Sequence, residues 1–210
     1  MNGKTVFITE CASGIGEASA LYFLERGWNV VATARRVEDL GDWALADRCL
    51  PMALDLSSEL SIRAAVGNAL AWFGGIDVFV NNTDNVFGAA AMLRNMAPPM
   101  RARHRGVMVN VSSVGEAAFE GLCESMRFEM AMHGVKVKLV EAGRGPEVAA
   151  AIFHAATDGF SKLRYPSPRC LSARAMPLTI KPRLEYSAST MQSHAARTAP
   201  DYRLQASLTL

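Results

Sequence analysis

Two hydrophobic periods alternate along the first 165 residues. Short, nearly continuous apolar runs fall at residues 5–9, 29–34, 50–54, 76–80, 107–111 and 135–140, the pattern of strands buried on both faces of a parallel sheet. Between them apolar residues recur at helical spacing. Ile62, Ala65, Val66, Ala69, Leu70 and Phe73 form one stripe, which Ser57 caps and Gly74-Gly75 ends. Phe119, Leu122, Cys123, Met126 and Met130 form another, in a helix beginning near Gly115. Ile15, Ala18, Leu21 and Tyr22 are the apolar residues of a helix opening at Gly14, and residues 86–96 turn helical until Pro98-Pro99 stops or kinks the helix. A last helix starts at Pro146 and ends at Asp158-Gly159, with a short strand over residues 162–165. The alternating Lys136 and Lys138 predict a sixth strand near one edge of its sheet. Strands alternating with crossover helices describe an α/β fold, a three-layer, doubly wound parallel sheet of six or seven strands.

Composition narrows the picture. Half of the 210 residues are apolar, enough for one sizeable core. No apolar run reaches bilayer length and the first strand starts almost at Met1, so a cytoplasmic protein without membrane association is expected. Cys11, Cys49, Cys123 and Cys170 are scattered, without paired spacing or histidine partners, which predicts reduced thiols and no metal site. The net charge is +2, but residues 161–210 carry eight Lys/Arg against two Asp/Glu. Five prolines between 166 and 200 add to the contrast. The chain therefore divides into a dinucleotide-binding domain over residues 1–165 and an irregular basic tail over 166–210. The tail reads as a solvated terminus in preference to a nucleic-acid arm.

Candidate chemistry gathers at the strand ends. Thr9 closes the first strand, Glu10-Cys11-Ala12-Ser13 turn the chain, and Gly14-Ile15-Gly16 open the helix. Free N–H groups and the positive helix end then face one point, where an anion such as a pyrophosphate is stabilised. Glycines at 14 and 16 leave room for its approach. The second strand ends in Arg35-Arg36, where a dinucleotide places its adenosine ribose. Arginine there suits the 2′-phosphate of NADP(H), whereas an acidic residue would accept from the 2′-hydroxyl of NAD(H).

The segments Thr9 to Gly16, Asp55-Leu56, Asn81-Asn82, Asn110-Val111-Ser112-Ser113 and Val140-Glu141-Ala142-Gly143 resemble, in that order, the signature segments of the short-chain dehydrogenase/reductase family. The likeness runs over about residues 3–165. It implies one Rossmann domain that binds NAD(P)(H) and transfers hydride between nicotinamide and a small-molecule alcohol or carbonyl. Carried over by position, Ser13 and Ile15 meet the phosphates, Arg35 the 2′-phosphate, Asp55 and Leu56 the adenine, and Asn82 the adenosine-side ribose. Ser113 resembles the serine that hydrogen-bonds the reacting oxygen, and Asn85 the asparagine that supports the proton relay. Helices over 86–96 and 115–133 match the family's dimer-forming pair, which makes a homodimer the implied assembly.

The departures are as informative. Glu10 stands where the family has its first turn glycine, and its carboxylate opposes a phosphate there. Asn85 follows Asn82 almost at once, and Val114 runs directly into Gly115-Glu116-Ala117 where the family carries its Tyr-x-x-x-Lys pair. Tyr186, in Tyr186-Ser187-Ala188-Ser189-Thr190, is the one segment resembling that pair, with Thr190 in the lysine's place. The expectation is an NADP(H)-dependent oxidoreductase of impaired activity. The alternative is a catalytically inactive nucleotide-binding or scaffold protein on the same sheet.

Overall fold

The computed structural model describes residues 3–112, 117–143 and 147–167. In chain order it contains β1 (Thr5–Ile8), α1 (Gly14–Leu24), β2 (Asn29–Ala34), β3 (Cys49–Ala53), α2 (Glu59–Phe73), β4 (Val78–Asn82), α3 (Val86–Ala102), β5 (Gly106–Ser112), α4 (Ala117–Ala131), β6 (Val135–Glu141), α5 (Glu147–Thr157) and β7 (Arg164–Pro166). The strands form one sheet in the order β3-β2-β1-β4-β5-β6-β7, every neighbouring pair parallel. This is the expected doubly wound Rossmann arrangement.

Alternation along each strand sends side chains to opposite layers. Phe7, Val31, Phe79 and Met108 pack beneath α2, α3 and α4. Val6, Ile8, Val30 and Val80 pack beneath α1 and α5, where Phe153 meets Phe23 and Tyr22 at ring-centre distances of 5.0 and 5.4 Å. Helix α2 buries Ile62, Ala65, Val66 and Ala69 and closes on Gly74 in the left-handed conformation, φ 74°. Its cap is Ser58, which accepts from the Ser61 N–H at 3.3 Å, while Ser57 donates to Asp55.

Tertiary packing sets three local features that the hydrophobic pattern leaves open. Helix α3 does not stop at Pro98-Pro99 but carries both prolines and runs to Ala102. A mid-helix proline costs about 3 kcal/mol; here the last turn stays helical because Met96 and Met100 are both buried in the core. In α1 the buried residues are Gly16, Ser19, Ala20 and Phe23, not Ile15, Ala18, Leu21 and Tyr22, which are half-buried. That helix is apolar on several sides, and close approach to the sheet selects its smallest face. Strand β6 lies beside the edge strand β7, near one edge of the sheet as its lysines predict. Lys136 and Lys138 reach the bottom of the α5 layer, where Lys136 donates to the Gly159 carbonyl. Lys138 donates to the Ala155 carbonyl at 2.6 Å and to Asp158 at 2.5 Å. A lysine can occupy an interior strand when its ammonium meets a carboxylate and a free helix-end carbonyl.

Candidate functional site

Strands β2 and β3 lie on one side of β1, and β4 to β7 on the other. The reversal beside β1 leaves a crevice at the carboxyl ends of the strands, the usual ligand position in such sheets. Two clefts open there. The larger, about 420 Å³, is bounded by Ser13 and Ile15 of the first turn, Arg35 after β2, Asn82 at the end of β4 and Thr83 after it, and Val111 of β5. The smaller, about 140 Å³, lies over the end of β3, between Asp55, Leu56, Ser57 and Asn85. Glu10, Ala34 and Arg35 line both.

The floor is fixed by hydrogen bonds between strand ends. The Thr9 hydroxyl donates to the Asn82 carbonyl at 3.1 Å and accepts from the Asn82 N–H at 2.8 Å, while the Asn82 amide donates back to the Thr9 carbonyl at 3.2 Å. Deeper, Asn81 donates to Asn110 at 3.1 Å, and Asn110 donates to the Lys138 carbonyl at 3.3 Å. These asparagines tie β4, β5 and β6 together beneath the clefts.

The first turn is held close. Ser13 precedes α1 in an extended conformation and its side chain makes no capping bond, so its hydroxyl faces the larger cleft uncommitted to the helix. Gly16 is a close-approach position: a methyl group there would drive into the Glu10 carbonyl and come within 3.0 Å of the Asn82 amide. Gly16→Ala is therefore expected to displace the backbone turn and destabilise the fold by about 1–3 kcal/mol, read as a lowered thermal midpoint. An unchanged midpoint would mean that the turn yields freely. Cys11 lies inside this turn, donating to the Ile8 carbonyl at 3.4 Å. Burial pushes its thiol far above the ordinary range, so it is no nucleophile.

The two arginines part company. Arg35 faces both clefts, whereas the exposed Arg36 is paired with Asp39 at 2.5 Å. The hydrogen bond from Arg36 holds the Asp39 carboxyl below the usual carboxylate range. The Asp55 carboxyl is likewise held down by its bonds from the Ser57 hydroxyl and N–H, at 2.6 and 2.9 Å. Asn85 is the N-cap of α3, its side-chain oxygen accepting from the Gly88 N–H at 3.0 Å. It lies in the smaller cleft with Asp55 and Leu56, apart from the larger cleft where β5 ends. Ser113 and Tyr186 lie outside the described residues. The described tyrosines, Tyr22 and Tyr165, line neither cleft. Tyr165 donates to Asp158 at 2.6 Å, and burial raises its phenol well above the ordinary range.

Sequence reasoning overlooked Thr83, Asp84 and Asp39 on the cleft wall. A hydroxyl directly after the Asn81-Asn82 strand end was the available signal for Thr83. Among the described residues no cluster of three or more His, Cys, Asp or Glu could hold a metal ion. No described helix is long and apolar enough to cross a membrane.

Comparison with known proteins fits this geometry. A sequence model described as short chain dehydrogenase matches residues 4–84. The dehydrogenase/reductase SDR family protein 7-like of Anopheles gambiae is 31% identical over 188 residues, covering 68% of this chain and 59% of its own. Short-chain dehydrogenase PC-15 of Penicillium crustosum is 32% identical over 180 residues, covering 68% of this chain and 66% of its own. The chain thus spans about three fifths of the length of such relatives. A short-chain dehydrogenase from Streptomyces avermitilis superposes with a TM-score of 0.74 at 28% identity, over 80% of this chain and 89% of that one. A metagenomic short-chain oxidoreductase in complex with NADP gives 0.70 at 26% identity, over 80% of this chain and 99% of its own.

Proposed function

The chain belongs to the short-chain dehydrogenase/reductase family, and on that premise we propose that its joined clefts take a nicotinamide dinucleotide, NADP(H) before NAD(H), for hydride exchange with an alcohol or carbonyl. The observation that carries this reading is Arg35 on the wall of both clefts, beside a helix N-terminus whose Ser13 hydroxyl is uncommitted. The residues suit such a group: Gly16 keeps the turn tight, Leu56 offers the adenine an apolar wall, Asp55 a hydrogen-bond acceptor, and Arg35 a charge for the 2′-phosphate. Asn82 borders the ribose. When bound, the nicotinamide supplies or accepts the hydride.

Hydride addition to a carbonyl carbon leaves an alkoxide that needs a proton. Ser113, placed by family resemblance at the reacting oxygen, can polarise it but is a poor acid. A positioned general acid contributes about 10²–10⁴ to such a rate, and no tyrosine occupies that role among the described cleft residues. We therefore assign the chain to weak carbonyl reduction with an unconventional proton donor. Family membership favours this over a binding-only scaffold.

Fluorescence titration with NADPH and with NADH tests the assignment. Saturable binding with NADPH preferred is expected. Failure of both to bind at millimolar concentration would overturn it.

A further inference from the structure

Glu10 occupies an unusual conformation at a decisive place. Its φ is 54°, the left-handed region that glycine enters freely and a glutamate enters at a cost. Such strain persists where neighbours enforce it, and two do so here. The Glu10 carbonyl is pressed against Gly16, and its carboxylate accepts a 2.8 Å hydrogen bond from the Thr83 hydroxyl. Thr83 in turn accepts from the Asn85 N–H at 3.1 Å, so the contact links the end of β1 to the start of α3. Glu10 also borders both clefts, so a ligand extending from one to the other passes its carboxylate. The wall of the larger cleft holds the carboxylates of Asp39 and Asp84 as well, against the guanidinium of Arg35.

We propose that Glu10, clasped to Thr83, is a gate between the two clefts that lowers the affinity for a ligand carrying a pyrophosphate at the junction, the dinucleotide proposed above included. This rests on the dinucleotide reading above and adds to it the residue that sets its affinity. A fixed carboxylate repels a phosphate entering the same small space, more strongly as water is displaced. A dinucleotide binds after the Glu10–Thr83 hydrogen bond opens and the carboxylate turns outward. A nucleotide ending on the adenosine side, such as 2′-AMP, sits in the smaller cleft with Glu10 at its border and brings no pyrophosphate to the junction.

Calorimetric titration of the full chain and of two variants tests the gate. Glu10→Gln keeps the side-chain shape and an oxygen to accept from Thr83 but removes the charge; Thr83→Val removes the clasp. Glu10→Gln is expected to gain about tenfold or more in NADPH affinity, with 2′-AMP changed by less than about twofold, and Thr83→Val a smaller gain for NADPH. Measurable NADPH binding that Glu10→Gln leaves unchanged or weakens would overturn the gate while leaving the dinucleotide reading intact. Equal gains for NADPH and 2′-AMP would overturn it too, by marking a general field effect. Absence of dinucleotide binding in all three proteins would overturn both.

Discussion

Lys138→Met is expected to destabilise the protein by about 3–5 kcal/mol, the cost of leaving one member of a buried ion pair without the other. The Lys138 and Asp158 side chains are 1% and 4% exposed, so water cannot take over as partner. Against a total stability of about 5–15 kcal/mol for an ordinary domain, that loss should lower the urea midpoint by about 2 M. Asp158→Asn added to Lys138→Met should recover part of it, because a buried amide costs less than a buried carboxylate. A loss under about 1 kcal/mol would show that the pocket admits water.

The same pair sets a pH dependence with a definite sign. Burial works to raise the Asp158 carboxyl, but the bonds from Lys138, Tyr165 and the Phe160 N–H outweigh it and hold the group below its ordinary 3.8. A carboxyl depressed in the folded state contributes stability that is complete above the unfolded value and lost as pH falls through the folded one. The wild-type contribution should therefore be intact at pH 5 and above and drain below about pH 4. In Lys138→Met the carboxyl no longer has its cation, burial dominates, and protonation relieves the penalty. The stability gap between the two proteins should close in acid, and a constant gap would show that Asp158 does not titrate with folding.

Arg35→Ala is expected to weaken NADPH binding about 10–100-fold and NADH binding by less than about threefold. The range follows from one or two charge-assisted hydrogen bonds to a 2′-phosphate. Arg36→Ala should cost less, because its guanidinium is already committed to Asp39 and exposed. Its loss acts indirectly, uncovering the Asp39 carboxylate on the wall of the larger cleft. Paired titrations of both variants against both cofactors decide the matter. Equal losses for NADPH and NADH in Arg35→Ala would remove the 2′-phosphate assignment.

Much of the fold was legible because its signals are local and repeated. Apolar runs of strand length, the α2 stripe of Ile62, Ala65, Val66 and Ala69, and the glycines at 14 and 74 each act within a few residues, and periodicity reports such effects directly. The sheet and the ends of its strands, hence the region of the candidate site, followed from them. Where sequence and structure differ, the deciding neighbours are distant in the chain. Lys138 reads correctly as lying near a sheet edge, but its burial against Ala155 and Asp158, at the end of α5, is not legible locally. The proline pair reads as a stop or a kink, and burial of Met96 and Met100 keeps α3 helical through it. The resemblance singles out Arg35 for the 2′-phosphate, but that Arg36 is committed to Asp39 shows only in the structure.

By itself, then, the sequence determined the α/β order of elements, the first turn and the family likeness, because each lies in the spacing of residue types along the chain. The tertiary structure alone decided that Arg36 is committed to Asp39, that Asn85 caps α3 on the side of the smaller cleft, and that Glu10 sits in the left-handed region with its carboxylate bonded to Thr83. The Glu10–Thr83 bond joins residues 73 positions apart. No local pattern encodes such a pairing; it exists once β1 and β4 lie side by side.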